Sequence, residues 1–275
     1  VVSNGFLKGN NLQEIIEVYM GDLVGDAVFE RYGLEFPLLV KTLDCLDKLS
    51  VQVHPNDETA AERHGKCGKS EMWYVVGAEP DAVIYIGFKD KNITREQYIE
   101  AVAEGTIADI IQPVKVKAGD VFYIPAGTVH ALSGGVTVVE IQQPVDLTYR
   151  IFDWNRLGND GKPRELHTAL AVDAINFEAT AELCRREYTA EKNKAVEAVK
   201  CDYFTANVIA LDGKAERDYC ELDSFVIYVC MDGEAEIDDG ENRERIKAGE
   251  LVLIPAETGD VALTGKATIL ECYIA

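Results

Sequence analysis

The sequence predicts a mainly β protein made of two related antiparallel β-barrels with helical insertions. The first observation is an internal repeat: the stretch Lys115–Ala126 aligns with Arg245–Ala256 at an offset of 130 residues. The second is a series of short apolar or alternating stretches bounded by turn-forming residues, which is typical of antiparallel barrels. The third is size, because 275 residues with 47% hydrophobic side chains can bury the core of one or two domains.

Helices are predicted at two places before and within the first barrel. Asn11 is a suitable N-cap for a helix over Leu12–Met20, and Thr94 for one over Arg95–Glu104. The charged segment 179–200 favours helix but is weakly periodic, so we expect a connector there. Strands are predicted at Val83–Gly87, Asp120–Ile124, Val136–Gln142, Phe204–Leu211, Phe225–Met231, Leu251–Ile254 and Ala267–Ile274.

Two segments carry side chains that can bind a metal. In a strand, residues i and i+2 point to the same face, so Gln52 and His54 are expected to project together. The second segment runs from Gly119 through an apolar stretch and a Pro/Gly turn to His130, where the next strand begins. His130 can supply a further imidazole to the same site.

The spacing of Gly119, Pro125, Gly127 and His130 resembles the second signature of the cupin superfamily, small jelly-roll barrels that hold a metal. The first signature departs from the usual form. Gln-x-His stands where His-x-His is common, and sixteen residues separate His54 from the next ligand candidate, Glu71.

With these departures the sequence resembles the type I phosphomannose isomerases, and the resemblance extends over nearly the whole chain. It is carried by Ser50–Pro55, Gly68–Tyr74, Val129–Leu132, Phe36–Lys41 and Leu147–Arg156. The resemblance implies two cupin-type jelly-roll barrels. It also implies that a further N-terminal segment precedes Ser3–Gly9, and we expect that segment to be missing from this chain.

Gln52, His54, Glu71 and His130 together form the predicted metal site. Two imidazoles, one carboxylate and one amide oxygen suit a borderline divalent ion such as zinc and leave a coordination position open. We expect one zinc ion per chain. The other histidines, His64 and His167, have no partner at ligand spacing and are expected to be structural or on the surface.

The second barrel is predicted to be structural, because its ligand positions carry other residues. Asp260 aligns with His130, and Ser224 stands about where Glu71 does. We therefore predict a metal-containing catalytic barrel over residues 1–170, a helical or irregular connector over 171–202, and a second, metal-free barrel over 203–275.

The resemblance also implies roles for residues around the metal. Arg150 matches an active-site arginine of these isomerases, and Lys69 matches their lysine in Lys-x-Glu. Arg156 is a candidate phosphate-binding cation, and Ser50 is expected to lie beside the substrate. Asp146 is a further candidate contact to the substrate.

The implied reaction interconverts mannose 6-phosphate and fructose 6-phosphate through an enediol. Loss of the C2 proton builds negative charge on the substrate oxygens, and a cation that stabilises this charge lowers the barrier. The metal or Arg150 meets that need. Glu140, Lys69, Asp146 and a metal-bound water are the candidate proton carriers, and the sequence does not choose between them.

Four alternatives share parts of this pattern. A cupin oxygenase would hold redox iron but needs no phosphate-capturing cations, whereas a sugar-phosphate sensor would keep the pocket without catalysis, and an impaired enzyme would behave similarly. A storage cupin would need no ligand set. A coupled assay of mannose 6-phosphate conversion with and without zinc discriminates them.

Composition limits the partners and the compartment. A formal charge of −21 argues against nucleic acid and anionic membrane surfaces, and it requires local cations to capture a sugar phosphate. Seven scattered cysteines without a Cys-x-x-Cys pair indicate reduced thiols. We therefore expect a cytoplasmic enzyme with a small-molecule substrate, working as a monomer or weak homo-oligomer.

Overall fold

A computed structural model describes residues 1–5, 7–158 and 160–274, and the chain is mainly β as predicted. The described helices are α1 (Leu12–Val24), α2 (Asp26–Tyr32), α3 (Asp57–His64), α4 (Arg95–Glu104), α5 (Ile107–Ile110), α6 (Thr168–Ala174) and α7 (Ala181–Cys184). The first nine strands are β1 (Leu39–Cys45), β2 (Val51–Val53), β3 (Glu71–Ala78), β4 (Val83–Phe88), β5 (Ile111–Lys115), β6 (Val121–Ile124), β7 (His130–Leu132), β8 (Val136–Gln142) and β9 (Tyr149–Phe152). The remaining strands are β10 (Arg185–Arg186), β11 (Ala195–Lys200), β12 (Thr205–Asp218), β13 (Val226–Asp238), β14 (Arg243–Lys247), β15 (Leu251–Ile254) and β16 (Asp260–Tyr273).

These strands form three sheets. Two have five strands, in the orders β1-β8-β3-β6-β10 and β5-β4-β7-β2-β9. The third has the order β11-β12-β16-β13-β14, with β15 also pairing with β13. All pairings within these sheets are antiparallel. In the described part of the chain, none of the three sheets closes on itself.

The chain divides into two compact units, which differ from the predicted regions. Residues Leu38–Arg186 form the central unit, which holds both five-stranded sheets. Residues Val1–Pro37 join Glu187–Ala275 in the terminal unit, which holds the third sheet. The predicted limits at 170 and 202 therefore do not coincide with the limits of these units.

Backbone hydrogen bonds explain why the N-terminal helices belong to the terminal unit. The carbonyl of Leu23 accepts from Ala256 N at 2.9 Å, and that of Val24 from Phe225 N at 3.2 Å. The Asp223 carboxylate accepts from Asp26 N at 2.6 Å and from Ala27 N at 2.9 Å, so it caps the first turn of α2. These contacts join segments that are far apart in sequence, which a pattern of local periodicity cannot reveal.

Local capping signals gave correct helix starts. Asn11 caps α1 in a capping box with Glu14, and Thr94 caps α4 in a capping box with Gln97. Gly105 ends α4 in the left-handed conformation, φ 72°. The segment 179–200 differs from its helix-favouring composition, because it contains only the short α7 followed by β10 and β11.

The central unit has two apolar clusters among its described residues, and one of them includes the strand β2. Val51 and Val53 of β2 are completely buried in one cluster with Val129 and Tyr149. None of the described helices is long and apolar enough to cross a membrane.

Candidate metal centre

The predicted ligands come from strand ends in both sheets of the central unit. Gln52 lies on β2 directly opposite His130, the first residue of β7. His54 follows β2, and Glu71 is the first residue of β3 in the other sheet. Because Val51 and Val53 are buried in the apolar cluster, the alternation of the strand turns Gln52 and His54 away from it, as expected.

Three of the four predicted ligands form a compact buried group. His54 Nε2 lies 3.5 Å from Glu71 Oε2, and His130 Nε2 lies 3.4 Å from Glu71 Oε1. All three residues are at most 1% exposed, and one ligand atom from each lies within 4.8 Å of the others. This is the spacing at which three donors can share one metal ion.

Both histidines are oriented by backbone carbonyls. His54 Nδ1 lies 2.9 Å from Leu147 O, and His130 Nδ1 lies 2.9 Å from Thr128 O. A carbonyl oxygen can only accept, so each Nδ1 carries the proton and each Nε2 presents its lone pair. This arrangement is the one that metal-binding histidines use, since the second hydrogen bond fixes the ring and its tautomer.

The electrostatics of the group also fit a cation. His54 Nε2 and both Glu71 oxygens are buried without a hydrogen-bond partner among the described residues, which is costly unless another ligand occupies that space. Burial lowers the pKa of His54 to about 4 and also lowers the pKa of His130. Burial opposes ionisation of Glu71, but the charge of Lys69 and the neighbouring imidazoles hold its pKa well below the ordinary value. The group therefore presents two neutral imidazoles and one carboxylate.

Gln52 is at the same place, with its amide nitrogen 3.2 Å from His130 Nε2 and its amide oxygen 3.5 Å from Ser50 Oγ. A rotation of the amide by 180° exchanges its nitrogen and its oxygen, so the oxygen can face the site as a ligand. Ser50 is buried beside it.

Lys69 and Glu140 lie near the candidate metal group, which consists of His54, Glu71 and His130. Lys69 is 5% exposed, and its Nζ lies 3.1 Å from Glu71 Oε2 as an ion pair without hydrogen-bond geometry. Glu140 on β8 is opposite Trp73, whose Nε1 donates to it at 3.0 Å. Burial and the charge of Glu71 raise the pKa of Glu140.

Lys41 is a residue that the sequence reasoning missed as a site candidate. It lies opposite Glu140 on β1 and donates to it at 3.1 Å. Its side chain is 34% exposed. A signal was present, because a lysine in the middle of the strand Leu39–Cys45 interrupts an otherwise largely apolar alternation.

Arg150 lies beside the predicted ligand Gln52, and Asp146 directly precedes Leu147, whose carbonyl oxygen contacts His54. Arg150 lies on β9 opposite Gln52, and its Nε is buried without a partner among the described residues. Its NH1 donates to Glu165 O at 2.9 Å. Asp146 is exposed, and no contact to the metal group is present in the described structure.

The remaining predicted residues have structural partners. Arg156 NH2 donates to Asp153 at 2.6 Å, so this candidate phosphate ligand is held by a carboxylate. His64 Nε2 lies 2.8 Å from Tyr149 OH, and His167 Nδ1 accepts from Arg150 N at 3.1 Å.

The register of the terminal unit corrects one predicted equivalence. Glu71 pairs with Ile124, and Val226 pairs with Ile254, the repeat partner of Ile124. Val226, not Ser224, is therefore the counterpart of Glu71. An apolar side chain stands where the metal group has its carboxylate.

The other three ligand positions in the terminal unit also have counterparts. Asp218 pairs with Asp260 as Gln52 pairs with His130, and Cys220 follows Asp218 by two residues as His54 follows Gln52. These counterparts, Asp218, Cys220 and Asp260, lie close enough together to hold a metal, but all three are exposed. They lack the burial, the histidine orientation and the glutamate of the central unit.

Family models match both ends of the chain. The model "Phosphomannose isomerase type I, catalytic domain" matches residues 2–85, and the model "Mannose-6-phosphate isomerase, cupin domain" matches residues 194–274.

Curated relatives and a solved structure are similar over the full chain. The mannose-6-phosphate isomerase ManA of Bacillus subtilis is 35% identical over 279 residues, which cover 100% of this chain and 84% of the relative. The mannose-6-phosphate isomerase of Streptococcus mutans is 31% identical over 255 residues, covering 93% of this chain and 78% of the relative. The crystal structure of a mannose 6-phosphate isomerase from Bacillus subtilis matches with a TM-score of 0.86 and 32% identity, covering 100% of this chain and 85% of that one.

Proposed function

Because the chain belongs to the type I phosphomannose isomerase family, we propose that it interconverts mannose 6-phosphate and fructose 6-phosphate. The observation that carries this proposal is the buried His54–Glu71–His130 group with its unpartnered donor atoms. Arg150 beside Gln52 and Glu140 on the neighbouring sheet add the charged groups that an aldose–ketose isomerisation needs.

His54, Glu71 and His130 would hold a zinc ion, with the Gln52 amide oxygen as the fourth ligand. When bound, zinc supplies a Lewis acid that polarises a substrate oxygen. Lys69 fixes the Glu71 carboxylate through its ion pair, while the carbonyls of Leu147 and Thr128 fix the imidazoles.

Arg150 would stabilise the charge that develops on the substrate oxygens. Its guanidinium is partly buried, so its interaction with an oxyanion is stronger than in bulk water. Glu140 is the proton carrier we favour, because it is a buried carboxylate held by Trp73 and Lys41 on the sheet that also carries Glu71. Ser50 lies beside Gln52, where it would contact the bound sugar.

The proposal extends to the architecture and the setting of the protein. We take each unit to contain a cupin-type barrel, which the sequence repeat and the equivalent strand registers support. No disulfide joins any of the seven cysteines, all of which lie in the described part of the chain, and this supports a reducing, cytoplasmic setting.

A coupled assay tests the function. Fructose 6-phosphate formed from mannose 6-phosphate is measured for the purified protein, for protein treated with a chelator, and for treated protein given back zinc. We expect activity, its loss, and its recovery. A metal-loaded, folded protein that produces no fructose 6-phosphate would refute the proposal.

A further inference from the structure

A buried carboxylate holds two arginines next to Arg150. Asp153 Oδ1 accepts from Arg156 NH2 at 2.6 Å and from Arg164 NH2 at 2.5 Å, and Oδ2 accepts from Arg164 Nε at 2.7 Å. The Asp153 side chain is only 7% exposed. The hydrogen bonds from Arg164 are the main cause that lowers the pKa of Asp153 to about 2, so the carboxylate stays ionised and fixes both guanidinium planes.

Both arginines keep donors that Asp153 does not use. Among the described residues, no acceptor is bonded to Arg164 NH1, and Arg156 NH1 has only the exposed Asp47, at 3.7 Å. The Arg164 and Arg156 side chains are 45% and 31% exposed, so these groups are accessible to a ligand. An anion with several acceptor oxygens can therefore bind without displacing Asp153.

Hydrogen bonds between Arg150 and the segment that follows Arg164 hold Arg164 close to Arg150. Arg150 NH1 donates to Glu165 O at 2.9 Å, and the Arg150 carbonyl accepts from His167 N at 2.7 Å. The charges of Arg164 and Arg156 both reach Arg150, where they act with burial to lower its pKa. Arg150 is in turn the strand partner of Gln52.

The turn between Asp153 and Arg156 is conformationally costly. Trp154 and Asn155 are consecutive non-glycine residues in the left-handed region, with φ of 56° and 55°. Such residues persist only where the surroundings hold them, and Trp154 Nε1 donates to Leu49 O at 2.7 Å, next to Ser50. The turn thus places the carboxylate and its arginines in a fixed position relative to the strand that carries Gln52.

We propose that Arg164 is a specificity-determining residue, and this inference rests on the proposed function. Arg164 and Arg156, both held by the buried Asp153, form the binding site for the phosphate group of the sugar phosphate. A phosphate carries close to two negative charges at neutral pH and three strong acceptor oxygens. The protein repels anions at long range through its charge of −21, so a local cluster of this kind supplies the attraction. Arg164 selects phosphorylated over unphosphorylated sugars.

Arg164→Gln tests the phosphate site by two independent measurements. In steady-state kinetics, the KM for mannose 6-phosphate is expected to rise roughly ten- to a hundredfold, the range for losing charge-assisted hydrogen bonds, with a much smaller change in kcat. In calorimetric titration with inorganic phosphate, the Kd is expected to rise by a similar factor. Arg164→Lys should give an intermediate effect, since it keeps the charge and loses the planar fork.

Arg63→Gln is the matched control. In the same unit, Arg63 NH2 and Arg95 NH2 both donate to the Asp173 carboxylate, at 2.8 and 2.5 Å, but the Asp173 side chain is 41% exposed. This variant should leave KM and phosphate affinity unchanged. The inference is refuted if folded Arg164→Gln keeps both values, or if the control changes them equally. A different result would separate this inference from the proposed function. If the folded, metal-loaded wild-type protein has no isomerase activity but binds phosphate, and Arg164→Gln weakens that binding, the phosphate site is supported and the proposed function is refuted.

Discussion

Replacing Glu271 in the terminal unit tests whether that unit serves stability alone. Glu271 is completely buried, and it accepts from Arg217 Nε at 2.7 Å and from Asn207 Nδ2 at 2.6 Å. Tyr219 OH also donates to it and contacts Tyr228 OH. Glu271→Leu removes the acceptor on which three donors depend.

Removing one partner of a buried ion pair is expected to lower the free energy of unfolding by about 3–5 kcal/mol. The Arg217 side chain is 27% exposed, so water can partly replace the lost carboxylate and the lower end applies. At about 2–4 °C per kcal/mol for a chain of this size, Tm should fall by roughly 6–12 °C.

Scanning calorimetry measures this loss, and two variants serve as controls. Glu216→Ala removes an exposed ion pair with Lys214 from the same unit and should leave Tm nearly unchanged. Adding Arg217→Met to Glu271→Leu should recover much of the lost stability, because the unpaired charge is gone. Isomerase turnover per folded molecule should stay within a few-fold. An unchanged Tm, or a loss of several orders of magnitude in turnover by folded protein, would contradict this reasoning.

Three further predictions concern the metal and the charged residues. Elemental analysis should find one zinc per chain, and His130→Ala should lose most of it, since one of three close donors is removed; two metals per chain, or full retention by the variant, would be inconsistent with the site. Arg150→Ala should lower kcat on the order of 10²-fold or more with a smaller change in KM, whereas Arg156→Ala should mainly raise KM and show a smaller defect on unphosphorylated mannose; near-normal kinetics of Arg150→Ala would disprove that division. Asp260→Asn should keep turnover within a few-fold, because Asp260 belongs to the exposed group of the terminal unit, and a large loss in folded protein would give that group a role.

Strand prediction succeeded where turn residues coincide with real strand ends. The strands Val136–Gln142 and Leu251–Ile254 have the predicted limits. It failed where glycine lies inside a strand. Gly213 and Gly265 are paired with each other within β12 and β16, so both strands run several residues beyond the predicted limits.

Gly233 shows the physical reason for this error. It lies inside β13 with φ 76°, and a Cβ atom there would come within 2.1 Å of Lys266 O. The glycine permits a close approach of two strands and does not end one. Composition alone does not separate these two uses of glycine.

Among the site residues, sequence patterns were most informative where two ligands share one strand or one motif. Gln52 and His54 are two apart, so the strand period alone predicted their common direction. The link between Lys41 and Glu140 could not be read in this way, because it depends on the register of β1 against β8. The same limit applies to the counterpart of Glu71, because only the strand register identifies it as Val226 and not Ser224.

The split composition of the terminal unit has a consequence during synthesis on the ribosome. Asp223, which caps α2, follows Asp26 by 197 residues. At translation rates of about 5–20 residues per second, roughly 10–40 s pass between the synthesis of the first helices and that of their partner segments. The central unit is continuous and can fold during that interval, whereas α1 and α2 still lack their hydrogen-bond partners from the C-terminal part of the chain. They are therefore the segment on which a ribosome-associated chaperone would act first.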